Sequence, residues 1–354
     1  MALRIILVGF LTFFKVNTYA QPNLNLKVIR NTYRIPEIGY VVVNAAAVLD
    51  MKIEGQKKDG GIPAALTDRF RIGSNTKAIT GLIAARLIAQ HLINWNDRVI
   101  DILPDWKDHC RKEYRKLTLL DLLSFRAPFY SYTYTDSLPL VAQFSGDAPS
   151  QRTAFAQYFL QQPPVAKKGV HFSNIGYVVA AEMLQRASGK SYEMLVADLN
   201  ADLGTSFSFG NPNQNDSTQT WGHFSDLRAE APSENQKLNW LMAAGNINCT
   251  MPDYAHFLQW QLRSLDGGSA LLSEKETRNL LFGRKRFAVG WFWKRDAKSG
   301  RCAYNKGNPG TFLSKVMLFE KQHLAIAVFC NVQSAEAENG IDAVIKLLQQ
   351  QYLR

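Results

Sequence analysis

The sequence predicts an α/β (α+β) fold, in which a sheet is built from both ends of the chain and a mainly helical domain is inserted between them. Strand-like runs stand near the beginning and over residues 287–331, whereas helical segments broken by loops fill the middle. A chain of 354 residues that is 46% hydrophobic and 20% charged has the composition of a globular protein of about two domains. We therefore expect an α/β sheet domain over residues 22–95 and 240–354, and a mainly helical domain over residues 96–239.

Each predicted element follows from the spacing of its apolar residues. Early strands are predicted over residues 40–49 and 51–53. Residues 74–90 are predicted to form a helix that is apolar on most faces, and such a helix is buried. The helical segments of the middle region are residues 117–123, 152–162 and 174–187. Late strands are predicted over residues 287–294, 302–305, 312–320 and 324–331, separated by hairpin-like turns such as residues 297–300. An amphipathic helix over residues 341–352 closes the chain.

Residues 1–20 have the pattern of a secretory signal peptide. Arg4 precedes an apolar core at residues 5–14, and residues 18–20 are similar to a cleavage site. The apolar run is too short to span a bilayer, and an uncleaved anchor or a first core strand is the alternative interpretation. We expect a periplasmic or secreted protein without stable membrane insertion after cleavage.

The net charge of +11 comes from 41 Lys and Arg residues against 30 Asp and Glu residues. Cleavage of the predicted signal peptide would remove Arg4 and Lys15 and no acidic residue. The short basic clusters, at residues 57–58, 167–168 and 284–286, are far apart in the sequence. A basic balance without a localised patch indicates solvated surface rather than a nucleic-acid site, so no nucleic acid is expected as a partner.

Four cysteines are an even number in an oxidising compartment, but their spacing fits no metal or redox motif. A chain of this length does not need disulfides to stabilise its core. Buried free thiols are therefore the preferred interpretation. Cys302 and Cys330 lie in separate strand-like runs and form the one pair worth testing. No cofactor or metal is expected.

The tetrad Ser74-Asn75-Thr76-Lys77 places a hydroxyl and an amine three residues apart, which makes them neighbours on one face of a helix. At the helix start, free backbone N–H groups favour developing negative charge near Ser74. A desolvated Lys77 loses its preference for the charged form, so that it can accept the serine proton. The alternative is purely structural: Ser74 caps the helix and Lys77 extends along the surface towards solvent.

The segment around this tetrad, residues 70–77, resembles the nucleophile segment of the serine β-lactamase / D-alanyl-D-alanine peptidase (penicillin-binding protein-like) family, in its class C-like branch. The resemblance implies an antiparallel sheet flanked by helices with the inserted helical domain, a catalytic pair of Ser74 and Lys77, and no metal. It continues in order along residues 35–350, through the segments at residues 100–104, 117–124, 172–177, 243–245, 250–258, 289–291 and 307–312.

The second motif of that family is altered here. It usually begins with a tyrosine that transfers protons between the nucleophile and the leaving group, and Phe172 stands in its place, with a ring that cannot carry a proton. Asn174 is retained, and the resemblance implies that it orients the substrate amide and contacts Lys77. Residues 233–235 have a similar pattern, but they lie in a polar loop without the expected helix, so coincidence is the better interpretation.

The third motif, normally Lys or His followed by a variable residue and Gly on an edge strand, is Asn305-Lys306-Gly307. Asn305 can form hydrogen bonds but has no charge or imidazole, whereas Gly307 still allows a close backbone approach. The resemblance implies substrate contacts from Asn305, Gly307 and Asn308, with the N–H of Asn308 joining that of the nucleophile in an oxyanion hole. Residues 298–300 match the motif letters better, but their position indicates a hairpin turn.

The family's usual His-Thr-Ser-Gly after the second helix is replaced by Phe-Arg-Ala-Pro at residues 125–128. An aromatic run follows, consisting of Phe129, Tyr130, Tyr132 and Tyr134. A packed surface loop is the preferred interpretation of this run, and a rim over the substrate cleft is the alternative.

Two functions follow from these residues. The first is a serine hydrolase that forms an acyl-enzyme on Ser74, with peptidoglycan stem peptides, β-lactams or small esters as the substrates that the resemblance implies. The second is a catalytically impaired relative that binds peptidoglycan-like ligands without turnover, because Phe172 and Asn305 replace two helpers of the reaction. A positioned acid or base contributes about 10²–10⁴-fold to a rate, so acylation can survive this loss. Tyr177 or Tyr304 is an alternative source of the phenol that Phe172 lacks, although the sequence spacing of neither residue supports this role.

Overall fold

The structure is a computed structural model that describes residues 24–58, 60–165, 169–296 and 300–353. The predicted signal peptide, residues 1–20, lies outside this part of the chain. The fold is mixed α/β with an antiparallel main sheet, as the sequence predicts.

Two antiparallel sheets form the β part of the described residues. Their strands are β1 (Glu37–Asn44), β2 (Val48–Gly55), β3 (Arg69–Arg71), β4 (Ser208–Phe209), β5 (Ile247–Thr250), β6 (Phe292–Asp296), β7 (Gly300–Gly307), β8 (Leu313–Phe319) and β9 (Leu324–Cys330). The main sheet has the order β2-β1-β9-β8-β7-β6, and the small sheet has the order β3-β5-β4. The main sheet is thus built from both ends of the chain, which confirms the predicted construction.

Helices cover both faces of the main sheet. In the described residues they are α1 (Leu26–Thr32), α2 (Thr76–Ala89), α3 (Val99–Ile102), α4 (Leu119–Leu123), α5 (Ala148–Gln161), α6 (Asn174–Ser188), α7 (Tyr192–Leu203), α8 (Met242–Gly245), α9 (Met251–Leu265), α10 (Glu274–Phe282) and α11 (Ala335–Tyr352). Helices α1 and α11 pack together, with α11 against β8 and β9, whereas α9 packs against β1 and β9. Among these helices, none combines the length and the apolar character needed to cross a membrane.

The strand predicted over residues 40–49 is two strands joined by a tight turn. The side-chain oxygen of Asn44 accepts hydrogen bonds from the backbone N–H groups of Ala46, at 2.9 Å, and Ala47, at 2.7 Å. Such a side-chain bond stabilises a turn locally, even within an apolar run. The second strand therefore begins at Val48 and pairs antiparallel with β1.

Helix α2 is buried on nearly all sides, as its composition predicts. Its residues from Thr76 to Ala85 are buried, and so is Leu87. The helix contacts α6 from the middle region and α8 from the returning chain. Because α2 follows directly on the segment that carries Ser74, its burial fixes the position of that serine.

The hairpin predicted near residues 298–300 is supported by the strands around it. Strands β6 and β7 pair antiparallel, with Asp296 opposite Gly300. Residues 297–299 lie outside the described part of the chain. The motif-like Asn305 lies further along β7 and next to Ser74.

The four cysteines are buried thiols without disulfide bonds. Cys302 lies on β7 and Cys330 on β9, with β8 between these strands. Burial raises the pKa of both thiols to about 12. Thiols with such a pKa are protonated near neutral pH and therefore poor nucleophiles.

Candidate active site

Ser74 lies in a 3₁₀ turn, Gly73–Asn75, between β3 and α2. The α-helix begins at Thr76, two residues after the predicted start. Gly73 has a φ of 51°, and this left-handed conformation, which favours glycine, does not belong to a regular right-handed helix. Ser74 is half-buried, whereas its neighbours on both sides are fully buried.

Strand β8 holds this turn in place. Asn75 Nδ2 donates a hydrogen bond to Ser314 Oγ at 2.7 Å, and Ser314 Oγ in turn donates to the carbonyl of Ile72 at 2.8 Å. All of these groups are buried, and a buried hydrogen bond is costly to break. The turn is therefore tied to the main sheet on both sides of Ser74.

The side chains of Ser74 and Lys77 are in direct contact, as the tetrad predicts. Lys77 Nζ lies 2.9 Å from Ser74 Oγ and donates to it. The structural alternative is wrong on two points. The helix cap position, Asn75, makes no side-chain capping bond, and Lys77 is 1% exposed instead of extending towards solvent.

Burial lowers the pKa of Lys77 to about 7, because the charged amine has lost its contact with water. Besides Ser74, the amine donates at 2.7 Å to the carbonyl of Ala244. The ring centres of Phe172 and Tyr177 lie 5.4 Å from Nζ. An amine with this pKa is partly neutral near pH 7 and can act as a base at its contact with the hydroxyl.

Asn174 joins the site as the sequence predicts. It is the first residue of α6, and its Oδ1 accepts a hydrogen bond from Lys77 Nζ at 2.7 Å. Its Nδ2 donates to the carbonyl of Tyr132 at 2.8 Å, which fixes the orientation of the amide. The predicted contact with Lys77 is confirmed.

Phe172 lies at the mouth of the site and is 39% exposed. Its ring centre is 5.3 Å from that of Phe125, which stacks on Phe287 at 3.9 Å. The ring therefore lies against an aromatic cluster on one side and solvent on the other. No hydroxyl is present at this position, although Lys77 Nζ is close to it.

Neither of the two tyrosines considered as a substitute brings its hydroxyl to Ser74. The hydroxyl of Tyr177 donates to the carbonyl of Leu123 at 2.6 Å and is fully buried there. Tyr304 precedes Asn305 on β7, and successive side chains of a strand point to opposite faces. Asn305 is on the Ser74 side of the sheet, so Tyr304 is on the other side.

The side chain of Asn305 forms hydrogen bonds with three segments of backbone. Its Nδ2 donates to the carbonyl of Ser74 at 3.2 Å and to that of Gly290 at 2.8 Å, and its Oδ1 accepts from the N–H of Lys306 at 2.8 Å. The side chain is 2% exposed. A substrate contact by Asn305 stays a prediction, since both N–H bonds of its Nδ2 are already used within the protein.

Gly307 brings β7 into close contact with the Ser74 turn, as the sequence predicts. An ideal Cβ at Gly307 would lie 1.9 Å from the carbonyl oxygen of Ile72, and one at Gly73 would lie 2.6 Å from the backbone nitrogen of Asn308. Two glycines thus allow the backbones to meet without intervening side chains. The backbone nitrogen of Asn308 therefore comes next to the turn that carries Ser74, and its part in an oxyanion hole stays a prediction.

Replacing Gly307 by alanine is expected to lower the free energy of unfolding by about 1–3 kcal/mol, as for other overpacked sites. The added methyl group would meet backbone, which cannot move out of the way by a rotamer change. Urea denaturation measures the loss. Gly245→Ala is the matched control, because its Cβ would only make ordinary contacts with the Ser74 turn, the nearest at 3.7 Å. Equal losses in the two variants would show that the close approach is not the cause.

The aromatic run after residue 128 is partly buried and partly exposed. Phe129 and Tyr132 are buried, whereas Tyr130 is 47% exposed. The run lies along the second motif: Ser131 Oγ donates to the carbonyl of Phe172 at 2.6 Å, and Ser173 Oγ donates to that of Tyr130 at 3.2 Å. The preferred interpretation, a packed loop, agrees with Phe129 and Tyr132, whereas a rim over the substrate cleft stays a prediction.

Residues 233–235 lie apart from the Lys77 amine, in the wall of a polar cavity of about 260 Å³. A 3₁₀ turn, Gln236–Asn239, follows them where the second motif would have an α-helix. The buried side chain of Arg71 also lines this cavity, and it donates at 2.7 Å to Asn211 and to Asn246. The interpretation of residues 233–235 as a coincidence agrees with this placement.

Two groups of the site were not predicted, the carbonyl of Ala244 and the hydroxyl of Ser314. Both act on the Ser74 segment from more than 160 residues away in sequence. A backbone carbonyl has no signature in a sequence, and a serine on a strand is too common to indicate such a contact. In the described residues, no group of three or more His, Cys, Asp or Glu side chains could hold a metal ion.

Comparisons with known proteins concern the family and the fold. The Beta-lactamase family model matches residues 26–351. Protein flp of Staphylococcus aureus strain NCTC 8325 / PS 47 is 23% identical over 308 residues, which cover 83% of this chain and 59% of flp. Protein flp of strain COL is 24% identical over 304 residues, with the same shares. The chain therefore spans less than two thirds of the length of these relatives.

A solved structure shows the same fold. The octameric penicillin-binding protein homologue from Pyrococcus abyssi superposes with a TM-score of 0.74 at 17% sequence identity. The match covers 93% of this chain and 77% of that one. At this identity, the likeness is one of fold.

Proposed function

The chain belongs to the beta-lactamase family, since the family model matches residues 26–351, and we propose that it is a serine hydrolase that forms an acyl-enzyme on Ser74 with an amide or ester substrate. The observation that carries this proposal is the 2.9 Å contact between Lys77 Nζ and Ser74 Oγ. Because burial lowers the pKa of Lys77 to about 7, a neutral amine is available at this contact near physiological pH.

Acylation begins with transfer of the Ser74 hydroxyl proton to the neutral Lys77 amine. Ser74 Oγ attacks the carbonyl carbon of the substrate, and the carbonyl oxygen takes up the negative charge. The N–H groups of Ser74 and Asn308 stabilise this oxyanion, a contribution that is among the largest in acyl transfer. When the tetrahedral intermediate collapses, the bond to the leaving group breaks, and the proton held by Lys77 passes to that group.

Deacylation returns the site to its starting state. Lys77 is neutral again after the leaving group departs, so it can take a proton from an attacking water molecule. The water oxygen forms the new bond to the acyl carbon, and Ser74 Oγ leaves with the proton from Lys77. Asn174, which accepts a hydrogen bond from Lys77 Nζ at 2.7 Å, holds the amine in place in both halves of the reaction.

The substrates we propose are peptidoglycan stem peptides, β-lactams or small esters, and the site of action is the periplasm or the exterior of the cell. The family supports small-molecule or peptide substrates in general. The location rests on the signal-like pattern of residues 1–20 alone.

Phe172 motivates a second candidate, a relative that binds peptidoglycan-like ligands, or is acylated once, without turnover. A phenyl ring beside Lys77 supplies no proton to the leaving group or to water, so Lys77 must make every transfer itself. In this case Ser74 would still react, but the acyl-enzyme would accumulate.

Labelling with a fluorophosphonate distinguishes these functions. We expect the phosphorus to bond to Ser74 Oγ with loss of fluoride, and the label to appear in the tryptic peptide of residues 72–77, which follows Arg71 and ends at Lys77. Steady-state hydrolysis of 4-nitrophenyl acetate, inhibited by this label, would support the hydrolase. Labelling with a single burst of 4-nitrophenol would support the stalled relative. No label on Ser74 would contradict both reactions.

A further inference from the structure

The Lys77 amine has three hydrogen-bond partners that differ in what they can do. Its Nζ lies 2.9 Å from Ser74 Oγ, 2.7 Å from Asn174 Oδ1 and 2.7 Å from the carbonyl oxygen of Ala244. A hydroxyl can donate or accept, whereas a carbonyl oxygen can only accept. Asn174 presents its oxygen to the amine because its amide nitrogen donates to the carbonyl of Tyr132. Two of the three partners are therefore acceptors only.

These two acceptors determine where the lone pair of the neutral amine points. A neutral amine has two N–H bonds and one lone pair. When both N–H bonds go to the oxygens of Asn174 and Ala244, the lone pair faces Ser74 Oγ, and the hydroxyl can donate its proton to it. An N–H bond that lost the Ala244 carbonyl would turn towards Ser74 Oγ, and the lone pair would then miss the hydroxyl.

The Ala244 carbonyl belongs to helix α8, and two threonines of α2 hold the chain on either side of it. Thr80 Oγ1 donates to the carbonyl of Ala243 at 2.7 Å. Thr76 Oγ1 accepts from the N–H of Ile247 at 3.2 Å. Since residues four apart lie on one face of a helix, the two threonines meet the returning chain together. The position of the Ala244 carbonyl is therefore set by hydrogen bonds immediately before and after it.

The hydroxyl of Thr80 is itself fixed by Tyr192, the first residue of α7. The two hydroxyl oxygens are 2.7 Å apart, and both side chains are buried. Since the carbonyl of Ala243 only accepts, the hydrogen of Thr80 goes to it, and Tyr192 supplies the hydrogen between the two hydroxyls. The carbonyl of Thr76, which also lies near the Thr80 hydroxyl, is more distant at 3.3 Å.

We propose that Thr80 and Thr76 are positioning residues, which hold the Ala244 carbonyl on the base so that its lone pair faces the nucleophile. Both side chains are fully buried, so they act through the backbone of residues 243–247 and not on a substrate. This inference rests on the proposed hydrolase function, in which Lys77 is the base.

The test is the pH dependence of fluorophosphonate labelling in Thr80→Val, which keeps the shape of the side chain and removes its hydroxyl. With the carbonyl less firmly held, we expect the plateau rate constant at high pH to fall by about 10- to 100-fold, as for other small displacements of reacting groups. The charged amine is also less well solvated by its acceptor, so the midpoint of the pH profile should fall by up to about one pH unit.

Tyr177 from α6 and Tyr192 from α7 are titratable side chains near this network. Burial raises the pKa of both hydroxyls, so both stay uncharged near pH 7. Burial of the amine itself lowers the pKa of Lys77 to about 7. A midpoint near pH 7 therefore does not come from either tyrosine.

Three further variants accompany Thr80→Val. Thr76→Val frees the other end of the segment and is expected to change the rate constant and the midpoint in the same directions. Thr80→Ser keeps the hydroxyl and is expected to retain both wild-type values. Thr277→Val is the matched control, because it removes a buried threonine hydroxyl that donates at 3.1 Å to the carbonyl of Ser273. Urea denaturation shows which variants are folded, and if Thr80→Val does not fold, Thr76→Val provides the same test.

A lower plateau and a lower midpoint in Thr80→Val, absent from Thr80→Ser and Thr277→Val, support the inference. Wild-type values in both Thr80→Val and Thr76→Val overturn it and leave the proposed function intact, because Ser74 is still labelled. Equal losses of rate in Thr80→Val and Thr277→Val, with unmoved midpoints, also overturn it, since they would reflect a general loss of buried hydrogen bonds. Absence of labelling in the wild type overturns the proposed function and the inference with it.

Discussion

Replacing Lys77 by methionine is expected to lower the rate of Ser74 acylation by about 10²–10⁴-fold, the usual contribution of a positioned base. Methionine fills similar space in the buried site but cannot accept the hydroxyl proton. The contact at 2.9 Å from Nζ to Ser74 Oγ is lost with it. The rate constant for fluorophosphonate labelling measures the attack by Ser74 Oγ, the step that acylation shares, and it does not depend on turnover.

The pH dependence of labelling tests whether Lys77 is the base. Since burial lowers the pKa of Lys77 to about 7, labelling of wild type is expected to rise with pH below about 7 and to level off above it. The slow residual labelling of Lys77→Met should lack this inflection. Lys306→Met is the control, because Lys306 is exposed and pairs with Glu338. A control that loses the inflection would contradict the assignment.

The pH dependence of stability gives a second readout of the lowered pKa of Lys77. The folded pKa of Lys77, about 7, lies below its ordinary value of 10.5, so between these values the unfolded chain binds more protons at this residue than the folded chain does. The free energy of unfolding due to Lys77 therefore rises with pH across that window. Urea denaturation of wild type should show the rise, and Lys77→Met should lack it, whereas Lys306→Met should keep it.

The elements that the sequence predicts correctly depend on local patterns. Helix α2 is mostly apolar along its 14 residues, and the late strands β8 and β9 are mostly apolar runs separated by a turn, so neighbours in sequence determine them. The Ser74–Lys77 contact is local too, because three residues separate the two side chains. Helices α7 and α10 were not predicted, although Ser191 and Ser273 cap their first turns.

The parts of the site that were not predicted depend on contacts between distant segments. Asn305 departs from the family pattern and gives no signal of its role, yet its amide joins the carbonyls of Ser74 and Gly290. The ring of Tyr134 packs on Gly310, and Lys237, more than 100 residues beyond Tyr134 in sequence, donates a hydrogen bond to the carbonyl of Asp136. Such contacts form only when the tertiary fold brings the segments together, and one sequence contains no pattern that relates them.

Restoring the phenol, by Phe172→Tyr, is expected to raise the turnover of an ester by up to about 10²-fold, the lower end of what a positioned proton donor contributes. The ring centre of Phe172 is 5.4 Å from Lys77 Nζ, so the new hydroxyl would join the groups that exchange protons with Ser74. Because the ring is 39% exposed, the hydroxyl can also reach water and adds little desolvation cost. The gain should appear in kcat, measured with 4-nitrophenyl acetate.

Phe172→Leu separates the effect of the hydroxyl from that of reshaping the aromatic cluster with Phe125. Leucine removes the ring without adding a proton donor, so no gain in turnover is expected from it. A gain in turnover in Phe172→Tyr alone would place Phe172 where protons are transferred. It would also identify the loss of the phenol as the reason for slow turnover. An equal gain in both variants would instead assign the effect to a more open cleft mouth. Unchanged turnover in both would show that Lys77 alone meets the need for proton transfer, which agrees with its being a buried amine beside Ser74 with a pKa of about 7.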